Sequence, residues 1–282
     1  MKLVSFVVGA RRSYGAVLGN KVVDLGARLG AKYPDLKALI AGGGMDHART
    51  LATPENAELG LETLTFLPVI PNPEKILCIG LNYEDHRLET KREKTEHPTV
   101  FMRYAESQVG HEQPMLRPHE STMFDFEGEI AIVIGKPGRR IVEADAWSHV
   151  AGYSCYNEGS VRDWQRHSSQ FGPGKNFFHT GAFGPWLVTA DEIAPGETLA
   201  LRTLLNGQVM QQTDTSMMIF PIPRLIAYCS TFLPLTPGDV FVTGTPGGVG
   251  ARRTPPLFMQ DGDIVEIEVG KIGTLRNTVA VE

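Results

Sequence analysis

Two glutamates, Glu127 and Glu129, stand one glycine apart at the entrance to the apolar run 130–134. If this segment is a β-strand, alternate side chains point to the same face, so the two carboxylates lie side by side. Their repulsion, and the cost of burying them beside an apolar core, requires a positive charge between them. A hard divalent cation with oxygen ligands is the economical candidate. A solvated strand end with a charged face is the alternative that this segment leaves open.

A histidine and a carboxylate, His86 and Glu89, follow the short apolar run 76–79. On a helix they are three residues apart and therefore neighbours on one face. A carboxylate beside an imidazole orients its tautomer and raises its basicity, which suits the histidine to act as a general base for water. The charged residues 91–94 downstream favour the competing interpretation, an exposed pair on a charged loop.

The segment 157–165 contains a second set of polar side chains. Glu158, Arg162 and Gln165 are spaced by four and three residues, which predicts one shared helix face with Glu158 near the helix start. Such a face offers one carboxylate to a metal and two donors to an anionic oxygen. The alternative for Arg162 is a structural ion pair with Asp163.

Two further positions could contact a substrate. Lys175 stands between Gly174 and the aromatic pair 177–178, and a partly desolvated lysine can polarise a carbonyl group. A lone lysine can equally extend its charge to the surface. Thr245 lies in the glycine-rich run 244–250, where the backbone can approach a ligand closely. The run lacks the lysine and the following helix of a phosphate loop, and a plain turn has the same composition.

Composition excludes several classes of protein. The 282 residues are 42% hydrophobic and 21% charged, as in an ordinary soluble protein, and the formal net charge is -5. Without a dense basic block, a nucleic-acid partner is not expected. No apolar run approaches the ~20 residues that span a bilayer, so no membrane association is expected either. Three widely spaced cysteines suit neither a disulfide framework nor a zinc site, and they predict a cytoplasmic, reducing environment.

The elements that must position these residues form two predicted domains. Proline at 68, 71 and 73 marks a boundary between a small N-terminal α+β domain, residues 1–70, and a domain of residues 71–282. The first contains a hairpin, 3–8 with 15–24, and a helical stretch, 25–40, interrupted at Pro34. Short strands are predicted at 76–79, 99–102, 130–134, 187–189, 199–205, 240–243, 264–269 and 272–281, and helices near 144–150, 159–168 and 216–230. The expected fold class is mixed α/β and β-rich, of the roll or sandwich kind.

In order and spacing, these segments resemble the fumarylacetoacetate hydrolase family from about residue 74 to residue 282. The motifs that carry the resemblance are GLNYEDH (80–86), DFEGEI (125–130), GY (152–153), SVRD (160–163), GK (174–175), GPW (184–186), GTPGGVG (244–250) preceded by Thr243, and GTLRN (273–277). The resemblance implies a β-roll catalytic domain with a small N-terminal domain, a homodimer or a dimer of dimers, and bound Mg²⁺ or a similar ion such as Mn²⁺ or Ca²⁺.

Carried over by position, the resemblance makes Glu127, Glu129 and Glu158 the metal ligands. The family typically has aspartate at the third place, and glutamate reaches about one methylene further, which could shift the ion or make its coordination bidentate or water-mediated. His86 and Glu89 become the water-activating dyad.

The remaining roles concern the substrate. Arg162, Gln165 and Lys175 are expected to stabilise a carbanion or enolate, and Thr245 is expected to hold the substrate carboxylate. Asn82 and Tyr83, in the GLNYEDH motif, are further predicted substrate-binding residues.

The predicted activity is metal-dependent hydrolysis of a C–C bond in a β-diketone acid, either an acylpyruvate or a fumarylacetoacetate-like acid. A divalent ion that chelates a small 2-oxo or diketo acid draws charge onto the enolate oxygen. Decarboxylation, isomerisation and dehydration or hydration of 2-oxo acids use the same metal and enolate, and they form the alternative. A small-acid binding protein without turnover is the non-enzymatic alternative.

Overall fold

Strands dominate the computed structural model, which describes residues 1–282, and the predicted class of mixed α/β, strand-rich fold is confirmed. The strands are β1 (Lys2–Val8), β2 (Arg11–Leu18), β3 (Lys21–Asp24), β4 (Leu59–Gly60), β5 (Thr65–Phe66), β6 (Ile76–Gly80), β7 (Thr99–Arg103), β8 (Gln108–Val109), β9 (Met115–Arg117), β10 (Phe124–Asp125), β11 (Gly128–Ile134), β12 (Val150–Asn157), β13 (Ser160–Val161), β14 (Gly181–Thr189), β15 (Ala200–Leu205), β16 (Gln208–Asp214), β17 (Val240–Val242), β18 (Ile264–Val269) and β19 (Gly273–Val281). The α-helices are α1 (Leu25–Leu29), α2 (Leu36–Ala41), α3 (Met45–Leu51), α4 (Glu84–Thr90), α5 (Arg162–Gln165), α6 (Gly172–Lys175) and α7 (Ile222–Phe232).

Twelve strands form one large sheet. Its main order is β4-β3-β2-β1-β14-β12-β11-β17-β6-β7, with β5 paired to β1 and β8 paired to β14. The antiparallel pairing of β1 with β14 joins the N-terminal strands to the rest of this sheet. The domain boundary near residue 70 stays a prediction.

The central strand β11 is buried on both faces, and this explains why its apolar run is unbroken. Ile130, Ile132 and Ile134 belong to one buried cluster, and Ala131 and Val133 belong to a second cluster on the opposite face. A strand that is covered on both faces needs apolar side chains at every position, so alternation disappears from its sequence. The entrance to this strand therefore lies within the protein interior.

A five-stranded sheet, β16-β15-β18-β19-β9, covers the first of these faces together with α7. The second face is covered by the N-terminal helices, through residues such as Leu36 and Leu39. With 11 residues α7 is the longest α-helix. None of the helices combines the length and apolar character that crossing a bilayer requires.

Several predicted bounds were wrong. Residues 15–24 do not form one strand, because Gly19, with a φ of 62°, turns the chain between β2 and β3. The predicted helix at 159–168 is reduced to the single turn of α5, since residues 160–161 pair with β10 as a strand. The segment 143–149 is a 3₁₀ helix, and α7 begins at residue 222, after Pro221. The strands β12 and β16 were not predicted.

Two strand pairings position the polar segments found in the sequence. The antiparallel register of β11 and β12 places Gly128 opposite Asn157 and Glu129 opposite Tyr156. The parallel pairing of β6 with β17 brings the chain after both strands to one edge of the sheet. The GLNYEDH segment and the glycine-rich run 244–250 therefore meet beside the entrance to β11.

Replacement of Gly128 by alanine should destabilise the fold by about 2 kcal/mol, because a new Cβ would collide with the Thr203 hydroxyl. That hydroxyl is buried without a hydrogen-bond partner. Thr203→Ala alone should therefore lower the free energy of unfolding by less than Gly128→Ala does. The double variant should be more stable than Gly128→Ala, because the hydroxyl that collides with the new Cβ is gone. Urea unfolding of all four proteins measures the coupling as a double-mutant cycle. Equal stability of Gly128→Ala and the native protein would contradict this close packing.

Candidate active site

Three buried carboxylates converge at the entrance to β11. One oxygen from each of Glu127, Glu129 and Glu158 lies within 4.8 Å of the others. Their residue exposures are 4%, 1% and 1%, so none of the three is a solvated strand end. The predicted convergence of the three acids is therefore present in the structure.

Glu158 reaches this cluster by a route that the sequence did not indicate. It follows the end of β12 and precedes the helix that starts at Arg162, so the predicted shared helix face with Arg162 and Gln165 was wrong. The pairing of β12 with β11 carries Glu158 to the site instead. Its backbone N–H donates to the Glu127 carbonyl at 2.9 Å. The Glu127 N–H donates to Asn157 Oδ1 at 3.1 Å, so the two segments are tied together.

Lys175 lies between two of the acids. Its Nζ donates to Glu127 Oε2 and to Glu158 Oε2, both at 2.8 Å, and the residue is 2% exposed. The ammonium group also lies 5.2 Å from the ring centroid of Phe101. The apolar wall of this lysine is thus Phe101, whereas Phe177 packs on Trp164.

Arg162 connects the acid cluster to a fourth carboxylate, Asp125. Its Nε donates to Asp125 Oδ2 at 2.7 Å, and its Nη1 lies 2.5 Å from Glu127 Oε1 and donates to Gln165 Oε1 at 2.9 Å. The competing pair with Asp163 does not form: Arg162 is paired with Asp125 and Glu127, and Asp163 accepts from the Ser121 hydroxyl. Asp125 is part of the DFEGEI motif, and its role becomes visible only in the structure.

Asp125 also fixes the glycine-rich loop. Its carboxylate accepts the backbone N–H of Gly250 at 2.8 Å and that of Ala251 at 2.9 Å. With the N–H of Phe126 as a third amide donor and the Arg162 guanidinium, this fully buried carboxylate is well satisfied. The arginine and the loop therefore share one fixed anchor.

The environments of the three glutamates are unequal. Burial opposes ionisation of Glu127, but Arg162 and Lys175 outweigh it and hold its pKa well below the usual range. Burial, then Glu158 and Glu127, raise the pKa of Glu129 well above its ordinary value. Burial also raises the pKa of Glu158, against the pull of Lys175. Two cations among three acids leave this centre short of positive charge.

The residues present fit a divalent cation. Lys175, Arg162 and Ser160 satisfy Glu127, whereas Glu129 has one protein donor, the Gly244 N–H on Oε2. Glu158 Oε1 is buried without any hydrogen-bond partner. Free carboxylate oxygens on Glu129 and Glu158 are hard ligands of the kind that Mg²⁺, Mn²⁺ and Ca²⁺ accept.

The histidine faces the same cavity as the acids, and its carboxylate partner lies behind it. His86 Nδ1 lies 2.7 Å from Glu89 Oε1 on α4, and Glu89 Oε2 accepts the Gly248 N–H at 2.9 Å. The cavity has a volume of about 690 Å³, and His86, the three glutamates, Arg162, Gln165, Lys175 and Thr245 line it. The exposed-loop interpretation of His86 does not hold, since the residue is 7% exposed.

The three predicted substrate-binding residues lie in different environments. The Thr245 hydroxyl, at the cavity wall, donates to the Gly128 carbonyl at 3.0 Å and accepts from Gln211 Nε2 at 2.8 Å. Asn82 is fully buried, and its amide donates to the carbonyls of Phe220 and Thr243. Tyr83 is also fully buried. Neither Asn82 nor Tyr83 lines the cavity, and their binding roles stay predictions.

Comparison with known proteins establishes the family. Residues 75–280 match the family model described as fumarylacetoacetate (FAA) hydrolase C-terminal. A mitochondrial oxaloacetate tautomerase of Xenopus laevis is 44% identical over 223 residues, 78% of this chain and 70% of the relative. The oxaloacetate tautomerase of Bacillus subtilis is 42% identical over 246 residues, 83% of this chain and 81% of the relative. The chain therefore belongs to the fumarylacetoacetate hydrolase family.

A solved structure within this family has a ligand in place. Maleylpyruvate hydrolase from Sphingobium sp. SYK-6, in complex with manganese(II) ion and pyruvate, superposes with a TM-score of 0.83 at 28% identity. The alignment covers 100% of this chain and 99% of that structure. The fold of the whole chain, including its N-terminal strands, is thus shared with this relative.

Glu129→Gln should stabilise the metal-free protein at neutral pH and weaken its response to metal. The fold raises the pKa of the Glu129 carboxyl above its ordinary value of 4.5, which we take for the unfolded chain. The folded protein therefore binds this proton more tightly than the unfolded chain does. Stability of the metal-free native protein should fall as the pH rises above that value. The glutamine variant removes this cost, so its advantage should shrink as the pH is lowered.

Thermal unfolding between pH 5 and 8, with and without Mg²⁺, provides the measurement. Metal at a hundredfold excess over its Kd should stabilise the native protein by about 2.7 kcal/mol, and the variant much less. The exposed Glu62→Gln is the matched control. An unchanged metal response in Glu129→Gln would remove this residue from the metal site.

Proposed function

We propose that this protein is a divalent-metal-dependent enzyme that converts a 2-oxo acid through an enolate, with keto–enol tautomerisation of an oxaloacetate-like acid as its reaction. One observation carries the proposal: His86, which is hydrogen-bonded to Glu89, lines the same cavity as three converging carboxylates. The two relatives named oxaloacetate tautomerase support the choice of reaction. C–C bond hydrolysis becomes the second candidate.

His86 is the group that moves the proton. With Nδ1 protonated and donating to Glu89 at 2.7 Å, Nε2 is left as the base. Glu89 is itself held by the Gly248 N–H, so the imidazole has a fixed tautomer and a fixed orientation. Such a histidine can take a proton from the carbon next to the 2-oxo group and return it, which interconverts keto and enol forms.

Lys175 and Arg162 supply fixed positive charge where negative charge develops. Both are buried, so their interaction with an enolate oxygen is stronger than it would be in water. A divalent cation held by Glu127, Glu129 and Glu158 would polarise the 2-oxo group and hold the adjacent carboxylate. The complex of the Sphingobium relative with manganese(II) and pyruvate supports this use of the site. Metal analysis of the purified protein identifies the ion among Mg²⁺, Mn²⁺ and Ca²⁺.

Two features of the cavity, its oriented histidine and its volume, are also compatible with hydrolysis. A histidine oriented by a carboxylate can activate water as readily as it can move a proton from carbon. The volume of about 690 Å³ also leaves room for an acid larger than oxaloacetate. Decarboxylation and dehydration use the same enolate, but no feature of the cavity favours them over tautomerisation.

A homodimer or a dimer of dimers, in a reducing cytosol, is also part of the proposal. All three cysteines are free and buried, so no disulfide contributes to this fold. Light scattering of the purified protein measures the assembly.

His86→Gln should lower the rate of oxaloacetate tautomerisation by about 100-fold or more, because general acid–base catalysis contributes that amount. Glu89→Gln should lower the rate by about tenfold, because the imidazole keeps a hydrogen-bond acceptor but loses the negative charge that raises its basicity. Ultraviolet absorbance of the enol form measures the rate. The exposed His119→Gln should be unaffected. A native rate in His86→Gln would exclude the dyad from catalysis.

Acylpyruvate hydrolysis and oxaloacetate tautomerisation should be measured on the same preparation after chelation and after Mg²⁺ or Mn²⁺ is restored. We expect metal-dependent tautomerisation with slow or no release of pyruvate from the acylpyruvate. Fast pyruvate release without tautomerisation would select the hydrolase instead. Full activity after chelation would exclude the metal from both reactions.

A further inference from the structure

Arg103, the last residue of β7, is a buried cation that forms no ion pair. The residue is 2% exposed, and its side chain is among the largest that the fold buries completely. It does not line the cavity. Burying a charged group without an opposite charge beside it costs free energy. The contacts of Arg103 must therefore account for a charge at this position.

Every nitrogen of this guanidinium group donates to a neutral oxygen. Nη1 donates to the Gly159 carbonyl at 3.0 Å, Nη2 donates to Thr180 Oγ1 at 2.9 Å, and Nε donates to Ser107 Oγ at 3.3 Å. Gly159 directly follows Glu158, the third carboxylate of the acid cluster. Arg103 thus binds the backbone one residue away from Glu158 and leaves the carboxylate oxygens of Glu158 free.

The segment that contains Gly159 has no room to shift toward its neighbours. A Cβ at Gly159 would lie 2.0 Å from the Thr180 carbonyl oxygen, so the two backbones are in close contact. Arg103 binds both of these residues and joins them. A Cβ at Gly181 would lie 2.8 Å from Arg103 Nη2, so the guanidinium is itself enclosed. Because Glu158 and Gly159 are adjacent, this packing also restricts Glu158.

Strand β7 supports the acid cluster at a second point. Phe101 lies two residues before Arg103, so both side chains project from the same face of the strand. The Phe101 ring centroid lies 5.2 Å from Lys175 Nζ, which in turn donates to Glu158 Oε2 at 2.8 Å. One face of β7 therefore contacts both the lysine that binds Glu158 and the backbone that follows Glu158.

The position of Arg103 suits a residue that supports a cation site from behind. A guanidinium that bound Glu158 directly would use the carboxylate lone pairs that a metal needs. Held on the neighbouring carbonyl instead, it adds positive charge to a cluster that lacks it, while Glu158 Oε1 stays without a partner. Burial raises the pKa of Glu158, and Arg103 opposes this rise together with Lys175, which has the larger effect.

We propose that Arg103 is a positioning residue of the metal site, which holds Glu158 in place for a divalent cation through its hydrogen bond to the Gly159 carbonyl. The proposal rests on the proposed function, because Glu158 must be a metal ligand. It assigns a role in metal affinity to a residue that touches neither the ion nor the substrate.

Titration of the chelator-treated protein with Mn²⁺, followed by the electron paramagnetic resonance signal of the free ion, measures the Kd without any catalysis. Arg103→Met should raise the Kd by about 100-fold, the upper range for a residue that orients a metal ligand. Arg103→Lys keeps the charge but loses the planar set of donors, so it should raise the Kd by only about tenfold. This partial rescue by lysine is not expected of a residue that merely fills space.

Ser107→Ala is the matched control, because it removes an acceptor of the same guanidinium on the side away from Glu158. It should lower the unfolding temperature but leave the Kd within about threefold of native. All titrations are made well below the unfolding temperature of each variant, which thermal unfolding measures on the same samples.

The outcomes separate this proposal from the proposed function. A native Kd in Arg103→Met, or an equal rise of the Kd in Ser107→Ala, overturns the positioning role while the metal site stands. Where Arg103→Met does not fold, Arg103→Lys decides, and a native Kd in that variant overturns the role as well. Failure of the native protein to bind Mn²⁺ overturns the metal-dependent function, and the role of Arg103 with it.

Discussion

Five charged side chains that are all buried form the centre on which the rest of the structure depends. Glu127, Glu129, Glu158, Arg162 and Lys175 are each at most 6% exposed. Removing such groups from water costs several kcal/mol per ion even after the protein relaxes. Ion pairs recover part of that cost for Glu127, whereas Glu129 is left with a raised pKa. An arrangement that is costly for the metal-free protein is one that favours the binding of a cation.

The fold holds this centre through hydrogen bonds from residues that do not line the cavity. Asp125 anchors both Arg162 and the loop at Gly250, and Asn157 holds the backbone of Glu127. Gln211 joins Gly128 to Thr245, and so connects the smaller sheet to the cavity wall. These residues restrict the motion of the charged groups, which lets fixed dipoles stabilise an enolate without reorganisation.

Local patterns predicted what depends on neighbours in sequence. The spacing of Glu127 and Glu129 and the three-residue step from His86 to Glu89 both predicted neighbours that the structure contains, although Glu127 lies just before β11 and not in it. Glu158 was assigned to a helix because its spacing to Arg162 and Gln165 fits a helical period. Pairing of β12 with β11, which no short segment reveals, decided its position instead. The partners of Asn82 are buried carbonyls far away in sequence, which local patterns do not reveal either. No sequence pattern pointed to Gln211, which binds the Gly128 N–H.

The parallel pairing of β6 with β17 has a consequence for how the protein is made. On one edge residues 76–78 pair with the nearby β7, but on the other edge their partners are residues 240–242, so β6 leaves the ribosome long before this second neighbour exists. Its apolar segment must wait with an unpaired edge, which is a template for aggregation. Contacts between such distant residues also slow folding, because loop closure precedes any gain in stability. The cavity thus assembles among the last parts of the chain, and a protein truncated before β17 can have no active site.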